Sequence, residues 1–381
     1  MKNFVFQNPT KLIFGRGTIA SLASEIPAGC KIMITFGGGS VRANGVYEQV
    51  TRALAGRDYV EFWGIEPNPK VETLRRAVAE CKARGVDFIL AVGGGSVLDG
   101  TKLIASAVKY DGDAWDLVLD NSLVGEIVPF ASVMTLPATG SEMNRGAVIS
   151  NLATAEKYAF YSTFPVFSIL DPESTFTLPK FQIACGLADT FVHVCEQYMT
   201  TPGQSPLMDR WAEGILSTVV ETAPRVLADS HDYAAMSDYM LCATMALNKF
   251  IAMGVTEDWA THMIGHEITA LHGTTHGQTL VVVLPATLRV MKSAKMGKLL
   301  QYGERVWGIT AGSDDERAEA AIARTEEFFR SLGLATRLHE LNIGEETIAE
   351  VERRFTERGT RLGENGDITG AVARKILEAC K

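Results

Sequence analysis

The sequence predicts an α/β domain with a parallel, Rossmann-like sheet, followed by an all-helical domain. Up to about residue 178, short apolar runs alternate with helical patterns, which is typical of parallel βαβ units with helices on both faces of the sheet. Beyond Thr177 the apolar residues recur with a period near 3.6, and strand candidates are scarce. We therefore expect one domain over residues 1–178 and a second over 179–381.

The predicted elements follow in chain order. The strands expected in the first domain are 31–36, 59–65, 87–92, 131–137 and 166–171. The helical patterns between them lie around 47–55, over 71–85 and over 96–108. In the second domain, long helical patterns cover 208–227, 233–251 and 316–333.

Composition excludes several classes of protein. The chain has 381 residues and a net charge of −9, which argues against a nucleic-acid-binding surface. No apolar run approaches the roughly 18 residues of a membrane span, and the first residues lack the pattern of a signal peptide. The six cysteines are scattered without a CxxC pair, as is usual for reduced thiols. We expect a cytoplasmic protein that binds neither nucleic acid nor membrane.

A glycine-rich loop, GGGS, follows the predicted strand 87–92 and precedes the helical pattern 96–108. Glycines bring backbone N–H groups close to a ligand, and a helix N-terminus carries a partial positive charge that favours phosphate. We expect Ser96 to cap this helix, with Asp99 three residues later in a capping-box-like position. Leu98 occupies the place of the last glycine of GxGxxG, so a plain strand–helix turn remains open as the alternative.

Two further loops have a similar character. GGGSV recurs at residues 37–41, where a neutral glycine stands in place of the ribose-binding carboxylate of NAD-selective sites, with Ser40 and Arg42 just beyond. The loop TLPATGSEMN follows the predicted strand 131–137. Its candidate ligand-binding residues are Thr135, Thr139, Gly140 and Ser141. Because the carboxyl ends of parallel strands meet at one edge of a sheet, the three loops together predict a dinucleotide site.

The second predicted domain contains a dense group of histidines, THMIGHEITALHGTTH. His262 and His266 are one helical turn apart, and His276 follows a glycine at which the chain can fold back. Upstream, Asp189 and His193 have i, i+4 spacing, which alone is most often a surface pair or a capped core pair. One carboxylate with several imidazoles and no thiolate suits Fe²⁺ or Zn²⁺ with an open coordination position.

These motifs resemble the iron-containing (group III, metal-dependent) alcohol dehydrogenases, in particular the bacterial branch of NADPH-dependent aldehyde reductases, also described as butanol-dehydrogenase-like. The stretches that carry the resemblance are NPTKLIFGRG, GGGSVLDGTK, LPATGSE, DTFVHVCE and the THMIGHEI block, in the family's order and almost end to end. The resemblance implies the two-domain fold that this family shares with dehydroquinate synthase.

The resemblance also implies site residues. The implied ligands of one divalent metal are Asp189, His193, His262 and His276. The residues implied on the pyrophosphate and nicotinamide side of the cofactor are Gly94, Gly95, Ser96 and Asp99, with Thr135, Thr139 and Ser141 nearby. Those implied around the 2′-phosphate of NADP are Gly37, Gly38, Gly39, Ser40 and Arg42.

Further positions follow from the same resemblance. Lys157 matches a lysine that reaches towards the cofactor, Leu178 is expected at a cofactor contact, and His266 matches a histidine proposed to assist proton movement. NAD-preferring relatives have an aspartate about where Gly38 is, and Ala43 stands where a second basic residue can occur. The family also implies a homodimer.

The expected function is reduction of short-to-medium-chain aldehydes to primary alcohols by NADPH, with a divalent metal polarising the substrate oxygen. The alternative is a sugar-phosphate cyclase of the dehydroquinate synthase kind, which needs several Lys or Arg residues around the metal. The residues near the histidines are instead Phe250, Met253, Trp259 and Met263, with only Lys249 as a cation. A non-catalytic nucleotide-binding protein is a third hypothesis, and it would not need an intact metal-ligand set.

Overall fold

A parallel sheet of six strands forms the centre of the first half of the chain in a computed structural model, which describes residues 1–381. Its strand order is β1-β8-β5-β4-β2-β3, and every neighbouring pair is parallel. The six strands are β1 Lys11–Phe14, β2 Ile32–Phe36, β3 Tyr59–Phe62, β4 Phe88–Gly94, β5 Phe130–Leu136 and β8 Phe167–Leu170. The predicted parallel sheet is thus confirmed.

Helices cover both faces of this sheet. They are α1 Leu22–Glu25, α2 Ser40–Ala43, α3 Val46–Ala53, α4 Val71–Arg84, α5 Gly95–Ala107 and α6 Ala114–Leu119. Strand β4 sends Ile89 into the core shared with α4 and α5, whereas Leu90 points into the core shared with α1 and α3. Alternate side chains of one strand therefore fill two cores, which explains the unbroken apolar sequence.

An antiparallel pair of strands was not among the predicted elements. Strands β6 Gly146–Asn151 and β7 Glu156–Tyr161 form this separate hairpin, and β6 packs against α5. Its side chains contribute Ile149 and Phe160 to the core beneath α4 and α5.

The rest of the chain is helical, as predicted, and no strand follows β8. The helices are α7 Lys180–Tyr198, α8 Pro206–Ala228, α9 Tyr233–Ala246, α10 Ala260–His272, α11 His276–Val290, α12 Lys292–Trp307, α13 Asp314–Ser331, α14 Glu345–Glu357 and α15 Gly370–Glu378. Ile264 and Ile268 of α10 pack with Val283 of α11 and Ile348 of α14 in one core. None of the helices is both long and apolar enough to cross a membrane.

The chain divides into two compact units. One comprises Gln7–Pro179 with Asp229–Thr244, and the other comprises Met1–Phe6, Lys180–Ala228 and Met245–Lys381. Most of α9 therefore belongs with the sheet, where the Tyr239 hydroxyl donates to the Pro137 carbonyl at 2.5 Å. The two units depart from a single boundary after residue 178 at residues 1–6, 179 and 229–244. The division into domains 1–178 and 179–381 stays a prediction.

Candidate active site

Three histidines converge on one carboxylate in the helical unit. The Nε2 atoms of His193, His262 and His276 lie 3.5, 3.7 and 3.8 Å from Oδ1 of Asp189. Asp189 and His193 project from adjacent turns of α7, His262 comes from α10, and His276 is the first residue of α11. The four predicted ligands are thus brought together from three helices.

Close helix packing produces this convergence. Gly273 ends α10 with a φ of +68°, a left-handed conformation that suits glycine and turns the chain towards α11. A Cβ added to Gly277 would lie 2.4 Å from the Cys185 carbonyl oxygen of α7, and one added to Gly265 would lie 2.9 Å from Thr279 Oγ1. Glycine at these two positions therefore lets α11 approach both α7 and α10 closely.

A second acidic group fixes the orientation of His262. Its Nδ1 contacts Glu196 Oε2, and the same carboxylate accepts a hydrogen bond from the Thr261 backbone N–H at 2.6 Å. Burial alone would lower the pKa of His262, but Glu196 and Asp189 outweigh it and raise the pKa to about 9. The site thus presents a negative field to any group that enters it.

The donor set fits a divalent metal. His262 Nε2 is buried without a hydrogen-bond partner, while Nδ1 of the same ring is held by Glu196. Carboxylate-oriented histidines of this kind are typical metal ligands. Tetrahedral ligands about 2.0–2.2 Å from a metal are separated by roughly 3.3–3.6 Å, close to the separations around Asp189 Oδ1. One carboxylate and three imidazoles without a thiolate suit Fe²⁺ or Zn²⁺.

His266 lies beside this set but outside it. Its ring centroid is 5.1 Å from that of His276 and 6.2 Å from that of His262, and its side chain is buried. The structure therefore puts a further imidazole next to the ligands, at a place where a proton carrier is useful.

The carboxyl ends of β2, β4 and β5 lie side by side in the sheet, so the three predicted loops share one edge. At the central one, α5 begins at Gly95 with Gly94 as its N-cap, and no side chain caps it. The predicted cap by Ser96 and the capping box with Asp99 are therefore wrong. Ser96 Oγ instead accepts from the Asn68 backbone N–H at 3.3 Å.

Asp99 is committed to protein contacts. It accepts hydrogen bonds from Ser141 Oγ at 2.6 Å and from the Val148 backbone N–H at 2.9 Å. Burial raises its pKa, although Lys102 opposes the shift. Because both carboxylate oxygens bind neighbouring protein groups, Asp99 shapes the loop after β5 rather than reaching into solvent.

Lys102 holds the same loop from below. Its buried ammonium group donates to Ser141 Oγ at 2.7 Å, Asn144 Oδ1 at 3.0 Å and the Gly146 carbonyl at 2.6 Å. Of the other predicted residues, Thr135 lies near the end of strand β5, and Thr139 Oγ1 in the loop accepts from the Ser141 backbone N–H at 3.3 Å. The loop is thus fixed by hydrogen bonds on its inner side.

The loop after β2 is more open. Gly39 has a φ of +107° and leads into α2, which begins at Ser40. A Cβ at Gly38 would meet nothing within 4 Å, whereas one at Gly37 would meet the Ile65 carbonyl and Val97 at 3.4 Å. The Arg42 guanidinium lies over the Trp63 ring, 4.1 Å from its centroid. An exposed cation thus stands near unobstructed space.

Two predicted positions lie elsewhere in the sheet unit. Lys157 projects from β7 and donates to Asn68 Oδ1 at 2.9 Å, which links it to the loop at Ser96. Leu178 is half-buried two residues before α7, and its backbone N–H donates to the Thr175 carbonyl at 3.0 Å.

Sequence reasoning gave no role to Glu196, Lys102 or Asn68. A signal for Glu196 was present, since Asp189, His193 and Glu196 have the i, i+4, i+7 spacing of one helix stripe. Lys102 and Asn68 act through contacts with residues about 40 and 89 positions away, and no local pattern reveals such pairs.

Family models account for most of the chain. One described as iron-containing alcohol dehydrogenase matches residues 9–172, and one described as the C-terminal part of the Fe-containing alcohol dehydrogenase family matches residues 183–362. The chain belongs to the iron-containing alcohol dehydrogenase family. Both the predicted family and the predicted two-domain family fold are confirmed.

Relatives in this family align over the full chain. NADPH-dependent aldehyde reductase YqhD of Escherichia coli is 50% identical over 387 residues, with 100% of both proteins covered. Its crystal structure superposes with a TM-score of 0.98 at 49% identity, covering 100% of this chain and 99% of that one. Probable NADH-dependent butanol dehydrogenase 1 of Bacillus subtilis is 42% identical over 386 residues, with 100% of both covered. The structure of NADH-dependent butanol dehydrogenase A from Thermotoga maritima has a TM-score of 0.95 at 34% identity, covering 100% and 99% of the two chains.

Proposed function

We propose that this chain is a metal-dependent NADP(H) alcohol dehydrogenase that acts mainly as an aldehyde reductase on short-to-medium-chain aldehydes. The observation that carries the proposal is the convergence of three imidazole Nε2 atoms within 3.5–3.8 Å of Asp189 Oδ1. The NADPH-dependent aldehyde reductase of E. coli, 50% identical over its whole length, supports the direction and the cofactor.

The side chains have separate roles in this reaction. We assign the cation to Asp189, His193, His262 and His276. When bound, the divalent cation supplies Lewis acidity to the substrate oxygen, and NADPH supplies hydride to the carbonyl carbon. Glu196 holds the His262 ring so that Nε2 faces the centre of the set. We assign to His266 the movement of the proton that the product alcohol requires.

The cofactor-binding assignment uses the three loops. We infer that Gly94, Gly95 and Ser96, at the N-terminus of the thirteen-residue helix α5, receive the pyrophosphate. The loop from Thr135 to Ser141, together with Lys157, is assigned to the nicotinamide side. Family membership alone does not choose between NAD and NADP, because relatives that are 42% and 50% identical carry NADH and NADPH in their names.

The loop after β2 favours NADP. Open space at Gly38 leaves room for a 2′-phosphate, and Arg42 supplies a positive charge nearby. No carboxylate stands at residues 37–42 to bind a free ribose hydroxyl or repel a phosphate. We assign Asp99 to the pyrophosphate and nicotinamide side instead, where its hydrogen bonds with Ser141 Oγ and the Val148 backbone N–H fix the loop after β5.

The surroundings of the metal ligands favour a small, weakly polar substrate over a sugar phosphate. The Trp259 ring lies edge-on to His262 with centroids 5.3 Å apart, and Phe250 is nearby in sequence with its ring stacked on Trp211. Lys249 is paired with Glu257 at 2.7 Å, so its charge is already balanced. The cyclase alternative would need unpaired cations to bind a phosphorylated acid.

We also propose a homodimer in the cytoplasm. Phe4, Val5 and Phe6 near the N-terminus are exposed, and the exposed fraction of Val5 is 97%. Contact with a second copy of the chain would bury this apolar segment. All six cysteines are free thiols, which is usual in a reducing compartment. Sedimentation of the purified chain measures the assembly; a monomer at micromolar concentration would contradict the dimer.

The function is tested with a panel of aldehydes and alcohols, NADPH and NADH, and protein reconstituted with Zn²⁺, Fe²⁺ or Mn²⁺. We expect metal-dependent reduction of aldehydes with NADPH. His262→Ala and His276→Ala should lose metal and activity together, while the exposed His231→Ala on the sheet unit serves as the matched control. An active, metal-free His262→Ala protein would refute the assignment.

A further inference from the structure

The Arg42 side chain packs on aromatic rings in the sheet unit. Its guanidinium carbon lies 4.1 Å from the Trp63 ring centroid and 5.2 Å from that of Tyr47. Trp63 in turn stacks on the buried ring of Phe36, with centroids 4.1 Å apart and planes inclined by 14°. The exposed arginine is therefore supported by a stack that reaches into the core.

One carboxylate ties this surface together. Glu61 Oε1 accepts a hydrogen bond from the Tyr47 hydroxyl at 2.9 Å, and Oε2 accepts one from Trp63 Nε1 at 2.8 Å. Glu61 lies in β3, Tyr47 lies in α3 and Trp63 follows β3. The two rings therefore cannot rotate independently while both hydrogen bonds are made.

Stacking leaves the donor edge of Arg42 available. A guanidinium that packs its face on an aromatic ring keeps its N–H groups in the ring plane, pointing outwards. The guanidinium of Arg42 lies over these two rings and makes no ion pair with a carboxylate. A planar guanidinium with free N–H groups is suited to bind a phosphate through two hydrogen bonds.

We propose that Glu61 is a positioning residue for cofactor selection: through Tyr47 and Trp63 it holds Arg42 beside Gly38 in the orientation that a 2′-phosphate requires. This inference rests on the proposed preference for NADP. It adds to the loop 37–42 a carboxylate that contributes to cofactor selection without contacting the phosphate. The negative charge of Glu61 is tolerated because both oxygens accept hydrogen bonds from the rings.

A rival role for Glu61 makes the opposite prediction. A carboxylate near a dinucleotide site can bind ribose hydroxyls directly, as in NAD-selective enzymes, and it then repels a 2′-phosphate. Removing such a group would strengthen the binding of 2′-phosphorylated ligands. Removing a positioning group would weaken it, so the two roles differ in sign.

The test measures binding rather than turnover. Adenosine 2′,5′-bisphosphate and 5′-AMP are titrated calorimetrically into the full-length chain at fixed ionic strength, because phosphate binding is salt-dependent. We expect Glu61→Ala and Trp63→Leu to lower the affinity for the bisphosphate by about tenfold, which is the order of one well-placed cation–phosphate contact. The affinity for 5′-AMP should fall by less than about twofold. Glu61→Gln, which can still bond both rings, should retain most of the selectivity.

Two further variants complete the design. Tyr47→Phe removes only the hydroxyl that binds Glu61, so it keeps the test available if Trp63→Leu does not fold. Glu48→Ala removes an exposed carboxylate of α3 and controls for a change in net charge. Unfolding temperatures identify any variant that has lost its fold.

The outcomes separate the two proposals. If the wild-type chain binds the bisphosphate no more tightly than 5′-AMP, the proposed NADP preference fails. If the wild-type chain is selective and Glu61→Ala and Tyr47→Phe keep that selectivity, the positioning role is refuted. A gain in bisphosphate affinity in both Glu61→Ala and Glu61→Gln would also refute it and would assign Glu61 to direct repulsion.

Discussion

A single methyl group at Gly277 should disturb the metal-ligand set without touching a ligand. The Cβ of Gly277→Ala would lie 2.4 Å from the Cys185 carbonyl oxygen and 3.0 Å from its Cα. Both partners are backbone atoms, so no side chain can turn away to make room. Helix α11, which carries His276 at its first position, must therefore move away from α7, which carries Asp189.

The size of this movement follows from the contact. Restoring even a 3.0 Å separation requires a shift of about 0.6 Å. Functional sites tolerate displacements of about 0.5 Å. A shift of this size would carry His276 Nε2, already 3.8 Å from Asp189 Oδ1, further beyond the roughly 3.3–3.6 Å that separates two ligands of a tetrahedral metal. We expect metal affinity to fall about 10- to 100-fold, as when the outer support of a metal site is removed. Overpacking also costs about 1–3 kcal/mol of folding free energy.

Chelator competition on folded protein measures the affinity, and urea unfolding of the metal-free protein measures the stability. Gly214→Ala is the matched control, because this glycine lies inside α8 and its Cβ would meet nothing within 4 Å. That control should gain about 0.5–1 kcal/mol and keep its metal. Wild-type metal affinity in Gly277→Ala would show that the close approach of α11 to α7 does not set the ligand geometry.

Three further predictions concern the cofactor, the proton and a buried lysine. Gly38→Asp should raise the KM for NADPH by at least about tenfold and that for NADH far less, because the carboxylate enters open space and repels a 2′-phosphate; equal effects on both cofactors would contradict this. His266→Asn should lower kcat about 100-fold in steady-state assays yet retain metal, and an unchanged kcat would remove it from the proton path. Burial lowers the pKa of Lys102 to about 8, although Asp99 and Glu142 oppose the shift. Between about pH 8 and pH 10, Lys102 is therefore protonated in the unfolded chain but neutral in the folded chain, and the free energy of unfolding rises with pH. Lys102→Met should flatten that rise in urea unfolding measured across this pH range, and an identical slope in both proteins would contradict the assignment.

The central strands were predictable because burial on both faces demands unbroken apolar sequence. The hairpin β6–β7 was not, since neither strand shows regular alternation of buried and exposed residues and its turn at residues 152–155 contains no glycine. Ala155 takes the left-handed conformation there, with a φ of +50°, a choice that no sequence rule anticipates. Contacts of α9 with the sheet unit, such as the Tyr239–Pro137 hydrogen bond across 102 residues, cannot be read from periodicity.

The helical ligand set was easier to predict than the loops around the sheet. The i, i+4 spacing places Asp189 and His193 on one side of a helix before any tertiary contact forms, and the dense group of histidines from His262 to His276 made a metal site the preferred interpretation of that pair. The capping role predicted for Asp99 was wrong for the opposite reason. Its role depends on where Ser141 and Val148 lie, more than 40 residues away, and helix-cap rules describe only neighbours in sequence.

The glycines in the two copies of GGGSV have different surroundings, so glycine has a different explanation in each copy. In the copy at residues 93–97, a Cβ on Gly93 would lie 2.6 Å from Val97 and one on Gly95 would lie 2.4 Å from Thr139. Packing alone therefore requires glycine there, whether or not a phosphate binds. At Gly38 a Cβ would meet nothing within 4 Å, so packing does not require glycine at this position. A ligand that needs the space of a side chain would explain the glycine. The first copy is for this reason the stronger indication of cofactor choice, although its sequence context is the weaker of the two.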